Sequence, residues 1–239
     1  MKKLVVASAA LVLSAGTALA GTMIILEPDP EVYVAPAPTY NWTGAYAGLS
    51  VGAMAAQHRW SFPTALDSRF DPDPSGLTGG VFIGYNWHTN RNLVIGVEAD
   101  VHTSSATGTD DYRDVDGNIL GAPGSVVGHS RIRTTAAARI RAGVAMDRSL
   151  LYVAGGVASA NYTLSWDNMG VEQDSWNGRR NGWTVGAGVE YAMNSNLRLR
   201  GELRYADFGT VDYDATAFTL PSRSHLTTTE VRLGVAFNF

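Results

Sequence analysis

Residues 231–239 place Val231, Leu233, Val235, Phe237 and Phe239 on one face of an extended chain and Arg232, Gly234, Ala236 and Asn238 on the other. A repeat of two belongs to a strand, not to a helix. This segment constrains the fold more than any other, because its apolar row needs an apolar neighbour while the opposite row accepts an arginine. Two architectures offer that: a soluble sandwich with one wet face and a barrel whose outer wall meets lipid. The rest of the chain decides between them.

The first twenty residues have the layout of a secretory signal, with Lys2 and Lys3, an apolar run from Leu4 to Leu13 and a small-x-small site at Ala18-Leu19-Ala20, so residues 1–20 are expected to be cleaved. No later stretch holds the roughly 18 uncharged apolar residues of a spanning helix, so a membrane position would require a barrel. Cysteine is absent, which excludes a disulfide scaffold, thiolate metal sites and a cysteine nucleophile. Both lysines lie in the signal, leaving sixteen arginines against 22 carboxylates and a formal charge of −6. That balance argues against nucleic acid as a partner. Residues 21–40, with Pro28, Pro30, Pro36, Pro38, Glu27, Asp29 and Glu31, read as an extended periplasmic tether.

Eight alternating segments follow in residues 41–239: Trp42 to Ala56, Leu77 to Trp87, Leu93 to Ser105, Arg131 to Met146, Leu150 to Tyr162, Trp183 to Met193, Leu197 to Ala206 and Leu226 to Phe239. Their connections alternate, long then short. The short ones, at 88–92, 147–149 and 194–196, suit periplasmic turns, and the four long ones, of about 20 residues each, suit surface loops. A single soluble domain rarely carries four such loops without helices. The expected fold is therefore all-β, an eight-stranded antiparallel up-and-down transmembrane barrel.

Charge assigns the faces. The third segment puts Glu98, Asp100 and His102 opposite Ile95, Val97, Ala99 and Val101, and the fourth puts Arg139 and Arg141 opposite Ala138, Ile140 and Ala142. The seventh puts Arg198, Arg200, Glu202 and Arg204 opposite Leu197, Leu199, Leu203 and Tyr205. An arginine facing the bilayer midplane costs about 2 to 4 kcal/mol, so the charged rows must face the lumen. Glu190, Glu230 and Arg232 join them by parity. Five acids and six arginines are then close to balanced, as a buried network requires. Gly48, Gly52, Gly80, Gly84, Gly186, Gly188 and Gly234 share the inner rows and leave room for long side chains. Tyr85, Trp87, Tyr191, Phe237 and Phe239 on the turn side, with Trp183, Tyr205 and Phe208 on the loop side, fit interfacial girdles. In the fifth segment the facing stays open, with either Tyr152 and Ala154 or Leu151 and Val153 outward.

The stretch GWTVGAGVEYAMNSNLRLRGELRYADFG at Gly182 to Gly209 resembles the small outer-membrane β-barrel family of alphaproteobacteria, the opacity-like or outer-membrane immunogenic proteins related to the OmpA transmembrane barrel. NWTGAYAGLSVG at Asn41 to Gly52, GGVFIGYNW at Gly79 to Trp87 and the closing VRLGVAFNF support it. The resemblance implies an integral barrel of the cell outer membrane with a structural and surface-exposed role, often described as porin-like. It covers the transmembrane barrel and not the peptidoglycan-binding domain of OmpA. Expected partners are outer-membrane lipids and lipopolysaccharide, the barrel-assembly machinery, for which residues 231–239 would be the insertion signal, and host or environmental ligands of the loops. A porin-like ion channel and an adhesin are the competing functions.

Chemistry is weakly signalled. Glu98 and Asp100 have the spacing of an acid–base pair, but neutralising Arg139 and Arg141 is the simpler role. Asp110, Asp111, Asp114 and Asp116 invite a calcium reading, yet an EF-hand counted from Asp114 would place Ile119 and Ser125 where glycine and glutamate belong. Lipid A deacylases use a His-x-Ser pair with a glutamate; here His225 is followed by Leu226 and Thr227, with Glu230 nearby, so the nucleophile is missing. His58, His88, His102, His129 and His225 lack metal-ligand spacing and are expected at loops and rims. No enzyme activity, metal or cofactor is expected.

Overall fold

The computed structural model describes residues 40–62, 68–89, 92–114, 116–213 and 221–239. The cleavage signal and nearly all of the tether lie outside these residues. Ten strands follow in order: β1 Gly44–Phe62, β2 Ser68–Phe70, β3 Ser75–His88, β4 Leu93–Ser104, β5 Thr107–Asp111, β6 Val126–Met146, β7 Ser149–Asn168, β8 Val171–Ala192, β9 Leu197–Tyr213 and β10 Ser222–Asn238. Eight of them form a ring of antiparallel neighbours, β1-β3-β4-β6-β7-β8-β9-β10, and β1 closes it by pairing with both β3 and β10. Ala47 lies opposite Phe237 on one side and Ile83 on the other. Every strand of the ring thus has two partners, and among the described residues the ring leaves no edge for lipid to meet.

The alternation seen in the sequence is the wall itself. Leu49, Val51, Val81, Ile83, Ile95, Val97, Ile140, Val153, Val185, Leu203, Leu233 and Val235 are exposed on the outside, between 42 and 67%. The fifth segment is now oriented: Leu151 and Val153 are 57 and 62% exposed, and Tyr152 and Ala154 point into the lumen at 2 and 7%. Trp87, Tyr191, Phe237 and Phe239 stand outward at the turn end, and Trp183 stacks near Tyr205 at the loop end with centroids 5.6 Å apart. Phe208 departs from the expected girdle: it is 3% exposed and packs inside with Met54, Ile132 and Leu226.

The expected long loop at 163–182 is strand instead. β7 and β8 continue to a two-residue turn at Met169-Gly170, whose φ values of 50° and 76° are both left-handed, the geometry of a tight hairpin. Twenty residues of strand measure about 66 Å at 3.3 Å each, far more than a tilted strand needs to cross an apolar band about 25 Å tall. The upper halves therefore stand clear of the lipid. The connection after β4 folds back as β5 against β6, with Thr109 opposite His129. The loop end of β9 and β10 likewise pairs up to Tyr213 and Ser222.

Candidate functional site

Trp42, just before β1, and Tyr46, Ser50, Met54, His58 and Trp60 on the inner face of β1 are all buried and step up the filled lumen. Trp42 belongs to a floor with Val94, Leu150, Tyr152 and Ala192. Above it, the eleven charged residues expected in the lumen, Glu98, Asp100, Arg139, Arg141, Glu190, Arg198, Arg200, Glu202, Arg204, Glu230 and Arg232, are none more than 7% exposed. Met54, Ile132, Phe208 and Leu226 form the next layer, and Trp60, Phe62 and Phe70, flanked by Tyr112 and Trp166, close the loop end.

The register produces part of the ionic layer directly. Glu98 faces Arg139 across β4 and β6, and Glu190 faces Arg200 across β8 and β9. These pairs are 2.5 and 2.7 Å apart. Other pairs cross the lumen: Arg139 reaches Glu202 at 2.9 Å, Arg200 reaches Glu98 at 2.6 Å, Arg141 reaches Glu190 at 2.7 Å and Arg204 reaches Asp100 at 2.8 Å. Arg232 joins Glu230 at 2.5 Å to Asp100 at 3.3 Å, and Arg198 is held by Glu190 at 2.9 Å. The eleven groups form one connected set that ties β4, β6, β8, β9 and β10 together. A carboxylate caged among guanidinium forks is the arrangement in which a buried charge is tolerable.

Aromatic and hydroxyl groups complete it. The Tyr46 hydroxyl donates to Glu98 Oε2 at 2.8 Å and accepts from Arg141 Nη1 at 2.8 Å; the Tyr152 hydroxyl donates to Glu202 Oε2 at 2.7 Å. The Arg141 guanidinium lies 3.9 Å from the Tyr152 ring centre, and that of Arg200 lies 4.1 Å from Phe82. The inner glycines make this possible. A Cβ on Gly84 or Gly188 would sit 2.4 or 2.5 Å from the hydroxyl of Tyr46 or Tyr152. Inner parity on β1 was the available signal for Tyr46; Tyr152 had none, because its strand could face either way.

His58 and His102 are corrections. Neither is a rim residue: they are 0 and 1% exposed inside the barrel. His102 bridges Ser50, at 2.7 Å, and Asp100, at 3.1 Å, while His58 spans Ser130 and Ser224, each at 2.8 Å.

The chemical candidates disperse. Glu98 and Asp100 are engaged with arginine and are not open to solvent. Glu230 is inside and paired to Arg232, whereas His225 is on the outer side of the wall, 3.0 Å from the Thr210 hydroxyl, so the two do not converge. In the loop after β4, Asp110 holds Arg113 at 3.1 Å and Asp111 accepts from the Gly124 N–H at 2.8 Å. Asp114 accepts from the side chain and backbone of Asn118, which hold its carboxyl below the usual range. Among the described residues, no group of three or more His, Asp or Glu is placed to hold a metal ion.

Residues 8–239 match the family described as outer membrane protein beta-barrel domain. The chain is 30% identical over 254 residues to the 31 kDa outer-membrane immunogenic protein of Brucella melitensis, covering 100% of both. It is 31% identical over 196 residues to the 22 kDa outer membrane protein of Rhizobium leguminosarum bv. viciae, covering 82% of this chain and 79% of the relative. Among solved structures, the outer membrane protein OprG from Pseudomonas aeruginosa superposes with a TM-score of 0.53 at 10% identity, over 84% of this chain and 98% of that one, a likeness of fold. The relatives are named for their place in the outer membrane and for immunogenicity, not for a reaction. The closed lipid-facing barrel and these matches agree, and the chain belongs to this outer-membrane β-barrel family as an integral protein of the outer membrane.

Proposed function

We propose that the barrel is a sealed, non-catalytic element of the envelope that stiffens the outer membrane and presents its loop end to the surroundings. One observation carries this reading: the ionic layer joins strands across the lumen, and its eleven members are 0 to 7% exposed. Ions would have to pass between guanidinium and carboxylate groups already 2.5 to 3.7 Å apart. The apolar floor at Trp42 and the aromatic roof at Trp60 add a barrier on each side. Val231, Leu233, Val235, Phe237 and Phe239, all outward, serve in this reading as the strand handed to the barrel-assembly machinery. The mature chain starts at Gly21, with residues 21–40 as tether, so the intact mass of protein extracted from outer membranes should equal that of residues 21–239.

The deciding measurement is single-channel recording of the full chain refolded into planar bilayers. Silent membranes are expected from protein whose insertion is verified by its heat-dependent shift in gel mobility. Reproducible conductance steps would refute the sealed lumen in favour of a porin-like channel. An adhesin role would appear as cell-surface binding that is lost when Thr107 to Gly128 is trimmed.

A further inference from the structure

The outer wall bears unpaired positive charge on one side, at one level. Arg131 and Arg133 of β6 and Arg179 of β8 are exposed. They lie just above the last outward apolar residues of that sector, Val101, Val157 and Trp183, which are 50, 66 and 50% exposed. Thr163 of β7 sits opposite Arg131, and Asn161 sits opposite both Thr134 and Arg179, so the arginines flank a short polar strip. β6 and β8 are two strand spacings apart, about 10 Å, a gap that two arginine side chains can span around one anion.

Among the described residues no carboxylate neutralises these three. Arg179 Nε donates to Ser159 Oγ at 2.8 Å, and its terminal nitrogens, like the whole guanidinium groups of Arg131 and Arg133, have no carboxylate partner among the described residues. Outward arginines elsewhere at the loop end behave differently. Arg59 and Arg69 pair with Asp71 at 3.5 and 3.0 Å, and Arg223 pairs with Asp212 at 2.7 Å.

Directly below the strip the wall is hollowed. A shallow concavity of about 1050 Å³, lined by Val81, Ile83, Ala99, Ala138 and Val157, reaches up to Arg179. Alanines on neighbouring strands leave the depth that larger aliphatic side chains fill elsewhere on the belt. An apolar hollow within the membrane, crowned at headgroup height by unpaired guanidinium groups, has the polarity of a lipid whose head is a phosphate. The short turns mark the periplasmic end, so the strip lies at the outer leaflet. The site stands outside the wall and does not depend on whether the lumen is sealed.

We propose that this strip and hollow form a binding site for lipid A of the outer leaflet, with a phosphate held by Arg131, Arg133 and Arg179 and an acyl chain lying over Ala99 and Ala138. Guanidinium forks match phosphate oxygens in geometry as well as charge.

The test titrates the full chain, refolded in neutral detergent, with diphosphoryl lipid A, dephosphorylated lipid A and phosphatidylglycerol, and follows retained lipid by native mass spectrometry. Diphosphoryl lipid A should be held at least about tenfold more tightly than either comparison lipid, one decade of affinity. R131Q/R133Q/R179Q should lose that preference, and R59Q/R223Q should keep it. All five positions are exposed on the outer wall, and gel mobility verifies that each variant has folded. Equal retention of the dephosphorylated lipid would overturn the phosphate contact, and equal retention of phosphatidylglycerol would overturn the choice of lipid A. Those two comparisons need only the unaltered protein. An undiminished preference in the triple variant, or its loss in the control, would overturn the placement.

Discussion

Replacing Glu98 with alanine should lower the unfolding free energy of the barrel by about 3 to 5 kcal/mol, the loss typical of a buried charge left without its partner. Glu98 serves Arg139 at 2.5 Å, Arg200 at 2.6 Å, Arg141 at 3.4 Å and the Tyr46 hydroxyl at 2.8 Å. Its removal leaves the guanidinium groups of Arg139, Arg141 and Arg200, at most 7% exposed, facing one another. Arg139 keeps Glu202, and Arg141 and Arg200 keep Glu190, so the barrel should still close, but with guanidinium repulsion that Glu98 no longer offsets. Glu98→Gln retains the shape and one acceptor and should fall between the two. The matched exposed pair gives the scale: Asp212→Ala, which frees Arg223 at the loop end where the two side chains are 68 and 59% exposed, should cost only about 0 to 1 kcal/mol. Urea unfolding from lipid vesicles, followed by tryptophan fluorescence, measures all three. A Glu98→Ala loss as small as that of Asp212→Ala would mean the ionic layer contributes little to stability.

The second large effect is expected one residue away from a natural arginine. Ile140 lies between Arg139 and Arg141 in sequence, yet it is 66% exposed on the lipid side while its neighbours are 3 and 2% exposed inside. Its cross-strand partners are Val97 and Gly155, both at mid-belt. Ile140→Arg should therefore cost about 2 to 4 kcal/mol, the depth-dependent penalty for a guanidinium at the midplane. Ile140→Leu should cost little. Unfolding of Ile140→Arg at the same urea concentration as the parent would place this segment outside the hydrocarbon, and would contradict the facing of the whole of β6.

His58 and the β7–β8 hairpin lie where the alternation loses its meaning. Within the membrane, lipid demands an apolar outer row, so the outer residues of eight segments and the inward charges opposite them stood out in a pattern of period two. Above the membrane both faces of a strand meet water or aromatic packing, and that contrast disappears. Strands that continue to Asn168 and Val171 therefore read as loops. His58 reads as a rim residue and Phe208 as part of the outer girdle for the same reason: in the upper lumen a single strand does not show which face is packed inside.

The sequence by itself determined the wall: the number of membrane strands, the side each residue of those strands faces except in β7, and the near balance of five acids with six arginines. Those properties follow from local alternation and from the cost of charge in lipid, which act strand by strand. Only the tertiary structure decided which charges meet. Arg139 finds Glu202 across the lumen as well as Glu98 beside it, and Tyr152 turns inward to donate to Glu202 because Gly188 leaves it space. Contacts across a closed ring depend on the stagger between distant strands and on which small residues face which large ones, and no single strand carries that information.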